Sequence, residues 1–229
     1  MIQVSKAYCL LLLLSIFFLF YTESAIAQKI KMTKLSDNVY QHISYKEIAP
    51  WGLVGASGLV VINGNNAFII DTPWTNTGTE QLIKWIKAKG LTLSGAVVTH
   101  FHEDASGGIP LLNKLKISTY ATPLTNNLLK LNQKEIANNE ISTNPFVLIE
   151  EVVTIFYPGA GHTKDNIVVW LHNEKILFGG CFVKSLRSKN LGNIEDADIG
   201  EWANSIDNVI GQYPDIKIVV PGHGAIGDT

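Results

Sequence analysis

Cysteine is scarce in this chain of 229 residues, which has only Cys9 and Cys181. A framework of several disulfides is excluded, and with it the class of small cross-linked secreted domains. No sign of charge dominates: 18 Lys and Arg stand against 20 Asp and Glu, a formal net charge of -2. No run of basic residues offers a nucleic-acid face, so no nucleic-acid partner is expected. Charged residues make up 17% of the chain and hydrophobic ones 46%, a balance that excludes wholesale disorder and predicts a buried core. Neither Ser-x-x-Lys nor Gly-x-Ser-x-Gly occurs, which removes two serine signatures of acyl transfer. Repeats and low-complexity segments are also absent. These absences leave a globular domain acting on something small or neutral.

Long apolar runs are limited to one, from Cys9 to Tyr21. It falls short of the roughly 20 apolar residues that a membrane-spanning helix needs. Lys6 precedes it, and Ala25-Ile26-Ala27 follows with small residues where a signal peptidase reads. Residues 1–27 are therefore read as a signal peptide, with an uncleaved membrane anchor as the alternative. The mature chain then begins near Gln28 in an oxidising compartment such as a bacterial periplasm, with no stable membrane anchor. No cysteine follows the small residues to carry a lipid. Once residues 1–27 are removed, Cys181 is the only thiol left. A lone thiol in an oxidising compartment is buried and inert, reactive, or held by a metal.

The remaining sequence reads as strands and helices without a Pro/Ser-rich linker. Asn38 to Ile43, Gly58 to Ile62 and Ala67 to Ile70 are strand-like, the last two joined by the turn text Asn63-Gly64-Asn65-Asn66. Thr75 to Lys89 carries an apolar helical stripe that stops at Gly90. Gly95 to Thr99 is a short buried strand running into His100. Ile109 to Leu115 and a segment opening at Pro123 read as helices. Glu151 to Phe156, Ile167 to Leu171 and Lys175 to Phe178 read as strands. Ile199 to Gln212 is a helix, and Ile216 to Val220 is a last strand. One α+β domain is expected over residues 28–229, with two sheets covered by helices on their outer faces.

The chain has six histidines, and three stand where a predicted strand ends or a glycine-rich turn begins: His100, His162 and His223. Cys181 follows a strand and two glycines in the same manner. Loops at strand ends are where scaffolds hold reactive groups, and glycine allows close approach of backbone and ligand. His42 and His172 are read as structural or solvent-exposed. In His100-Phe101-His102-Glu103-Asp104, alternation along an extended segment would make His100, His102 and Asp104 converge. Neutral imidazoles, a carboxylate and a thiolate suit Zn²⁺. A hydrogen-bonded surface cluster is the bland reading of the five residues alone. Adding His162, Cys181 and His223 makes metal binding the stronger one, with enough ligands for two zinc ions and an open position for water.

The run from His100 to Gly108 resembles the His-x-His-x-Asp signature of the metallo-β-lactamase fold, an αββα sandwich. Tyr157-Pro158-Gly159-Ala160-Gly161-His162-Thr163 and Phe178-Gly179-Gly180-Cys181 are similar to the class B β-lactamases with three-His and Asp-Cys-His zinc sites, among them the acquired imipenem-hydrolysing enzymes. The resemblance runs from about Lys29 to Gly227. It implies that His100, His102 and His162 hold one zinc and that Asp104, Cys181 and His223 hold the other. It further implies that Lys184 receives a substrate carboxylate, that Asn193 lies beside the lactam carbonyl, and that Trp51 caps bound substrate from a mobile hairpin. Asp71 is implied as a buried acid orienting the metal loop. The implied reaction is hydrolysis of penicillins, cephalosporins and carbapenems, with Asp104 and Asn193 as catalytic residues and metal-bound hydroxide as nucleophile, in a monomer conferring antibiotic resistance. Ala105 departs from the family, which often has Arg or Ser there reaching the surroundings of the second zinc. The chain also ends soon after His223, where the family continues into a C-terminal helix, so that helix is read as missing. Two alternatives stand beside the lactamase reading: a hydroxyacylglutathione-type thioesterase of the same fold, and a non-catalytic periplasmic zinc-binding protein.

Overall fold

The computed structural model describes residues 28–228. The predicted signal peptide lies outside the described residues, as does Thr229. Among the described residues, no helix is long and apolar enough to cross a membrane.

Two sheets face each other. The first has seven strands in chain order: β1 (Lys31–Lys34), β2 (Val39–Ile48), β3 (Gly52–Asn63), β4 (Asn66–Ile70), β5 (Thr92–Val97), β6 (Ser118–Ala121) and β7 (Asn139–Glu140). Its β1–β4 part is antiparallel, and its β4–β7 part is parallel. The second has six strands: β8 (Phe146–Ile149), β9 (Val153–Phe156), β10 (Val168–Leu171), β11 (Ile176–Gly180), β12 (Ile218–Pro221) and β13 (Gly227–Asp228). They lie in the order β13-β12-β11-β10-β9-β8, and only β11 and β12 pair in parallel. Among the described residues, the helices are α1 (Asn76–Ala88), α2 (Glu103–Ser106), α3 (Ile109–Lys114), α4 (Pro123–Leu131) and α5 (Ile199–Gln212).

Strand alternation divides the apolar side chains between the two faces of each sheet. Leu59, Val61, Phe68, Ile70 and Val97 point inward from the first sheet and meet Ile155, Val169, Leu171, Ile176 and Phe178 of the second. Their neighbours Val60, Ala67, Ile69 and Ala96 face outward, onto Leu82, Ile83 and Ile86 of α1 and Leu112 of α3. On the second sheet, Val168, Trp170 and Leu177 face outward onto Trp202 and Val209 of α5. The layers are therefore helix, sheet, sheet, helix, an αββα sandwich. Burying a side chain such as Leu82 or Ile86 completely contributes about 1.5–3 kcal/mol over leaving it exposed.

Local signals set the helix starts. Thr75 caps α1 by accepting from the Gly78 amide, and Thr122 caps α4 by accepting from the Thr125 amide with Pro123 in the first turn. Gly90 ends the α1 segment with φ of 75°, the left-handed geometry that glycine tolerates.

Candidate metal centre

The predicted ligands come together where both sheets end. His100 follows β5, His162 lies in the loop after β9, Cys181 follows β11 directly, and His223 stands two residues beyond β12. Backbone hydrogen bonds tie these loops across the sandwich. The Ser57 amide donates to Gly222 O at 2.8 Å, the Gly222 amide to Gly180 O at 2.7 Å, and the Ile167 amide to Thr99 O at 2.9 Å. Gly222 can carry no side chain, since a Cβ would stand 2.6 Å from Cys181 Sγ and 2.7 Å from the Cys181 backbone nitrogen.

The His-x-His-x-Asp run converges by a different route from the extended alternation that its spacing predicts. Strand β5 ends at Val97, the chain bends through His102, and His102 then stands at the N-cap of the four-residue α2. Asp104 therefore lies in a helical turn, and its Oδ1 comes to 3.4 Å from His100 Nε2. A tight bend followed by one helical turn leaves no mark in hydrophobic periodicity.

Two sets of donor atoms result. The ligand atoms of His100, His102 and His162 all lie within 4.8 Å of one another, with His102 Nδ1 and His162 Nε2 at 3.3 Å. In the second set, Cys181 Sγ is 3.0 Å from Asp104 Oδ2 and 3.3 Å from His223 Nε2, and His223 Nε2 is 2.9 Å from the same carboxylate oxygen. His100 borders both sets, since it also groups with Asp104 and Cys181.

The chemistry of these donors fits a cation. His100 Nε2 and Asp104 Oδ1 are buried with no hydrogen-bond partner, a costly arrangement for polar atoms without a ligand between them. Burial pushes the His162 imidazole down to about 2, with His100 and Lys184 adding to it, so the ring is neutral and carries a free lone pair. Burial, and then Asp104, push the Cys181 thiol well above its ordinary range. A bound dication inverts that ordering, because a coordinating thiol is deprotonated outright. Against its burial, Asp104 is held well below the usual carboxylate range by His100 and His223. Zn²⁺ is the ion that a mixed N, O and S donor set of this kind suits.

Three of the ligands, His223, His102 and His100, are also held from behind. His223 Nδ1 meets Gly55 O at 2.8 Å, and His102 Nε2 meets Asp196 Oδ2 at 2.9 Å. Asp71 is buried at φ of 55°, a left-handed geometry that Asp and Asn adopt more readily than most residues. Its Oδ1 accepts from the Thr99 amide at 2.6 Å and its Oδ2 from the Thr99 hydroxyl at 2.7 Å. Thr99 Oγ1 in turn lies 3.2 Å from His100 Nδ1. The hydroxyl spends its proton on Asp71, so its oxygen accepts from His100 Nδ1–H and leaves the Nε2 lone pair facing the donor set.

A sequence model of the metallo-beta-lactamase superfamily matches residues 50–223. The chain belongs to that superfamily. Its relatives include the metallo-beta-lactamase type 2 of Pseudomonas aeruginosa, 43% identical over 200 residues that cover 87% of this chain and 80% of the relative. The enzyme of the same name from Bacteroides fragilis is 37% identical over 209 residues, covering 89% and 83%. Among solved structures, VMB-1 is 72% identical with a TM-score of 0.86, over 87% of this chain and 91% of its own. DIM-1 metallo-beta-lactamase is 49% identical with a TM-score of 0.84, over 88% and 92%.

The other residues implied by the superfamily resemblance surround one cavity. A space of about 600 Å³ opens over the donor atoms and is lined by Trp51, Trp74, Lys184, Asn193 and His223 among others. Trp51, at the hairpin tip between β2 and β3, is 49% exposed. Lys184 is half-buried, with Nζ 5.3 Å from the centre of the Trp202 ring. Asn193 is exposed, and its Oδ1 accepts from the Glu195 amide at 3.1 Å. Ala105, the departure from the superfamily pattern, is fully buried, and its carbonyl accepts from the Thr72 amide and hydroxyl at 2.7 and 2.8 Å.

Residue reasoning missed several supports. Of the two readings of His42, the structural one holds: it is buried, and its Nε2–H donates to Asp71 O at 3.0 Å, a link to the metal loop that its place in the sequence did not suggest. His172 pairs with the Thr154 hydroxyl at 2.7 Å. Gly58 within a strand was the available signal for the first of these, because glycine in a strand interior marks a close approach. A Cβ there would stand 2.4 Å from His42 Nε2 and 2.5 Å from Asp71 O. Thr99 and Asp196 carry no comparable signal.

Proposed function

We propose that this chain is a zinc-dependent β-lactam hydrolase, with His100, His102 and His162 holding one zinc and Asp104, Cys181 and His223 a second. The observation that carries the reading is the pair of adjoining donor sets at the floor of one cavity, in a sandwich whose relatives are named metallo-beta-lactamases. Penicillins, cephalosporins and carbapenems share a strained lactam beside a carboxylate, and hydrolysing them confers antibiotic resistance.

Zinc bound there would supply Lewis-acid polarisation of the carbonyl and lower the pKa of a coordinated water to about 7. The protein does the rest. Lys184 receives the substrate carboxylate, with its ammonium steadied over Trp202. Asn193 has committed Oδ1 to the Glu195 amide, which leaves its NH₂ as the group to donate to the lactam carbonyl oxygen. Trp51 covers the apolar side of the substrate and excludes water. Hydrolysis adds the water oxygen to the carbonyl carbon, breaks the lactam C–N bond and delivers a proton to the departing nitrogen. Asp104, kept ionised against its burial by His100 and His223, would hold the second zinc and orient the attacking water by accepting its hydrogen bond. No acyl-enzyme is needed, in keeping with the missing serine motifs.

The thioesterase reading is disfavoured, because those enzymes place a histidine at the position of Ala105 and a metal-bridging aspartate where Cys181 stands. Residues 1–27 complete the proposal as a signal peptide that delivers a monomeric domain, beginning near Gln28, to the periplasm. Hydrolysis of a chromogenic cephalosporin that a chelator abolishes and added zinc restores tests the function. A zinc-loaded protein that turns over no β-lactam refutes it and leaves the non-catalytic zinc-binding reading.

A further inference from the structure

The cavity over the donor atoms does not end at them. A second space, of about 490 Å³, is lined by Lys46, Glu103, Gln133, Lys134 and Glu135 among others. It shares Trp74, Glu103 and Lys134 with the first cavity, so the two form a continuous groove. Neither Lys184 nor Asn193 lines this extension. It therefore leads away from the groups assigned to the lactam and its carboxylate.

Its charges are unevenly engaged. Lys46, on β2, forms an ion pair with Glu103, and its Nζ lies 5.7 Å from the centre of the Trp74 ring. Glu135 is tied by the Asn113 side chain at 3.2 Å. Lys134 is half-buried, just beyond α4, and its Nζ lies 5.9 Å from the centre of the Phe101 ring. Among the described residues, it stands in no ion pair with a carboxylate. Lys134 and Glu103 line both cavities together, so Lys134 stands on the groove beside the carboxylate that Lys46 engages. The result is two ammonium groups around one carboxylate, with the less engaged ammonium facing the groove.

We infer that this extension is a subsite for an anionic acyl side chain, in which Lys134 receives a carboxylate carried by the substituent on the far side of the lactam from Lys184. The inference rests on the β-lactam reading and deepens it. A substrate with two carboxylates would be held at both ends, one by Lys184 and one by Lys134. Glu103 tempers this selectivity, since its charge repels the incoming carboxylate while it engages Lys46.

The test compares a penicillin that bears an α-carboxylate on its acyl side chain with the same penicillin lacking it, using the zinc-loaded protein. The readout is the ratio of the two kcat/KM values. Lys134→Met lowers the ratio by about fivefold, the scale of a partly exposed ion pair. The change falls on KM and is smaller at high salt. Glu103→Gln raises the ratio. A ratio that Lys134→Met leaves unchanged overturns the inference while the hydrolase reading stands. If wild type turns over neither penicillin, the hydrolase reading has failed, and equilibrium binding of the same pair decides the subsite. Tighter binding of the dicarboxylate by wild type, lost in Lys134→Met, supports the subsite; equal binding overturns it.

Discussion

Replacing Asp71 with Asn isolates the relay that prepares His100. The carboxylate accepts from the Thr99 amide at 2.6 Å and from the Thr99 hydroxyl at 2.7 Å, and Thr99 Oγ1 lies 3.2 Å from His100 Nδ1. An asparagine keeps one acceptor and turns the other into an NH₂ that donates to the Thr99 oxygen. The hydroxyl must then direct its own proton to His100 Nδ1, and the imidazole shifts its proton to Nε2. That atom borders both donor sets and can no longer offer its lone pair. Burial raises the Asp71 carboxyl to about 7, so above that pH, where it is ionised, losing a hydrogen bond to it costs about 1.5–3 kcal/mol. At 1.4 kcal/mol per tenfold, this weakens zinc binding at the three-histidine set by about 10- to 100-fold. Asparagine tolerates the φ of 55° at this position, so the fold survives the change. Competition with a chromogenic chelator measures the affinity. Thr99→Val should weaken zinc as Asp71→Asn does, and Thr99→Ser should restore it. Zinc affinity within twofold of wild type in Asp71→Asn refutes the relay, as would a Thr99→Ser protein as weak as Thr99→Val.

Three other outcomes follow from the same geometry. Cys181→Ser replaces the soft donor between Asp104 and His223, so metal analysis should show loss of the zinc held by that donor set, with turnover falling in step; unchanged stoichiometry would contradict the second donor set. Lys184→Ala should raise KM for penicillins and carbapenems about tenfold with a smaller change in kcat, as loss of a charge-assisted contact requires; an unchanged KM would remove its carboxylate role. Burial lowers the His42 imidazole from 6.5 to about 4. The folded state thus keeps the ring neutral while the unfolded chain takes up a proton. The stability this contributes is complete above about pH 6.5 and is lost as pH falls toward about 4, about 3 kcal/mol in all at 1.36 kcal/mol per unit. Chemical denaturation across that range should show a steeper fall in wild type than in His42→Gln, the difference reaching about 3 kcal/mol, while the slope that buried His162 contributes is common to both.

The layers of this fold were legible because alternation and helical stripes record burial directly. The Val60 and Leu59 pair, or Val168 and Val169, assign one face to a helix and the other to the opposite sheet. Strands without such contrast were missed or cut short. The outer half of the β2–β3 hairpin, through Tyr45, Lys46 and Glu47, is only partly covered and carries no apolar rhythm. Strands β6, β7 and β8 are four residues or fewer, too short for periodicity to register. The expected strand from Gly95 to Thr99 begins earlier, at Thr92, and stops at Val97, because Thr99 gives its amide and hydroxyl to Asp71. The metal ligands were legible because glycine-bracketed His and Cys at strand ends have few other uses. Their supports were not, since Thr99, Asp196 and the Gly55 carbonyl act through contacts that only the folded chain creates. Lys46, Glu103 and Lys134 come from three separate segments and meet only in the groove.

The central claim is that the two donor sets hold zinc that drives β-lactam hydrolysis. Zinc titration of metal-free protein, with bound metal and carbapenem turnover read on the same samples, tests it most directly. The account predicts no turnover without metal, activity that rises as zinc binds, and saturation at two zinc ions per chain. Saturation with zinc while carbapenems, penicillins and cephalosporins all remain intact would contradict it.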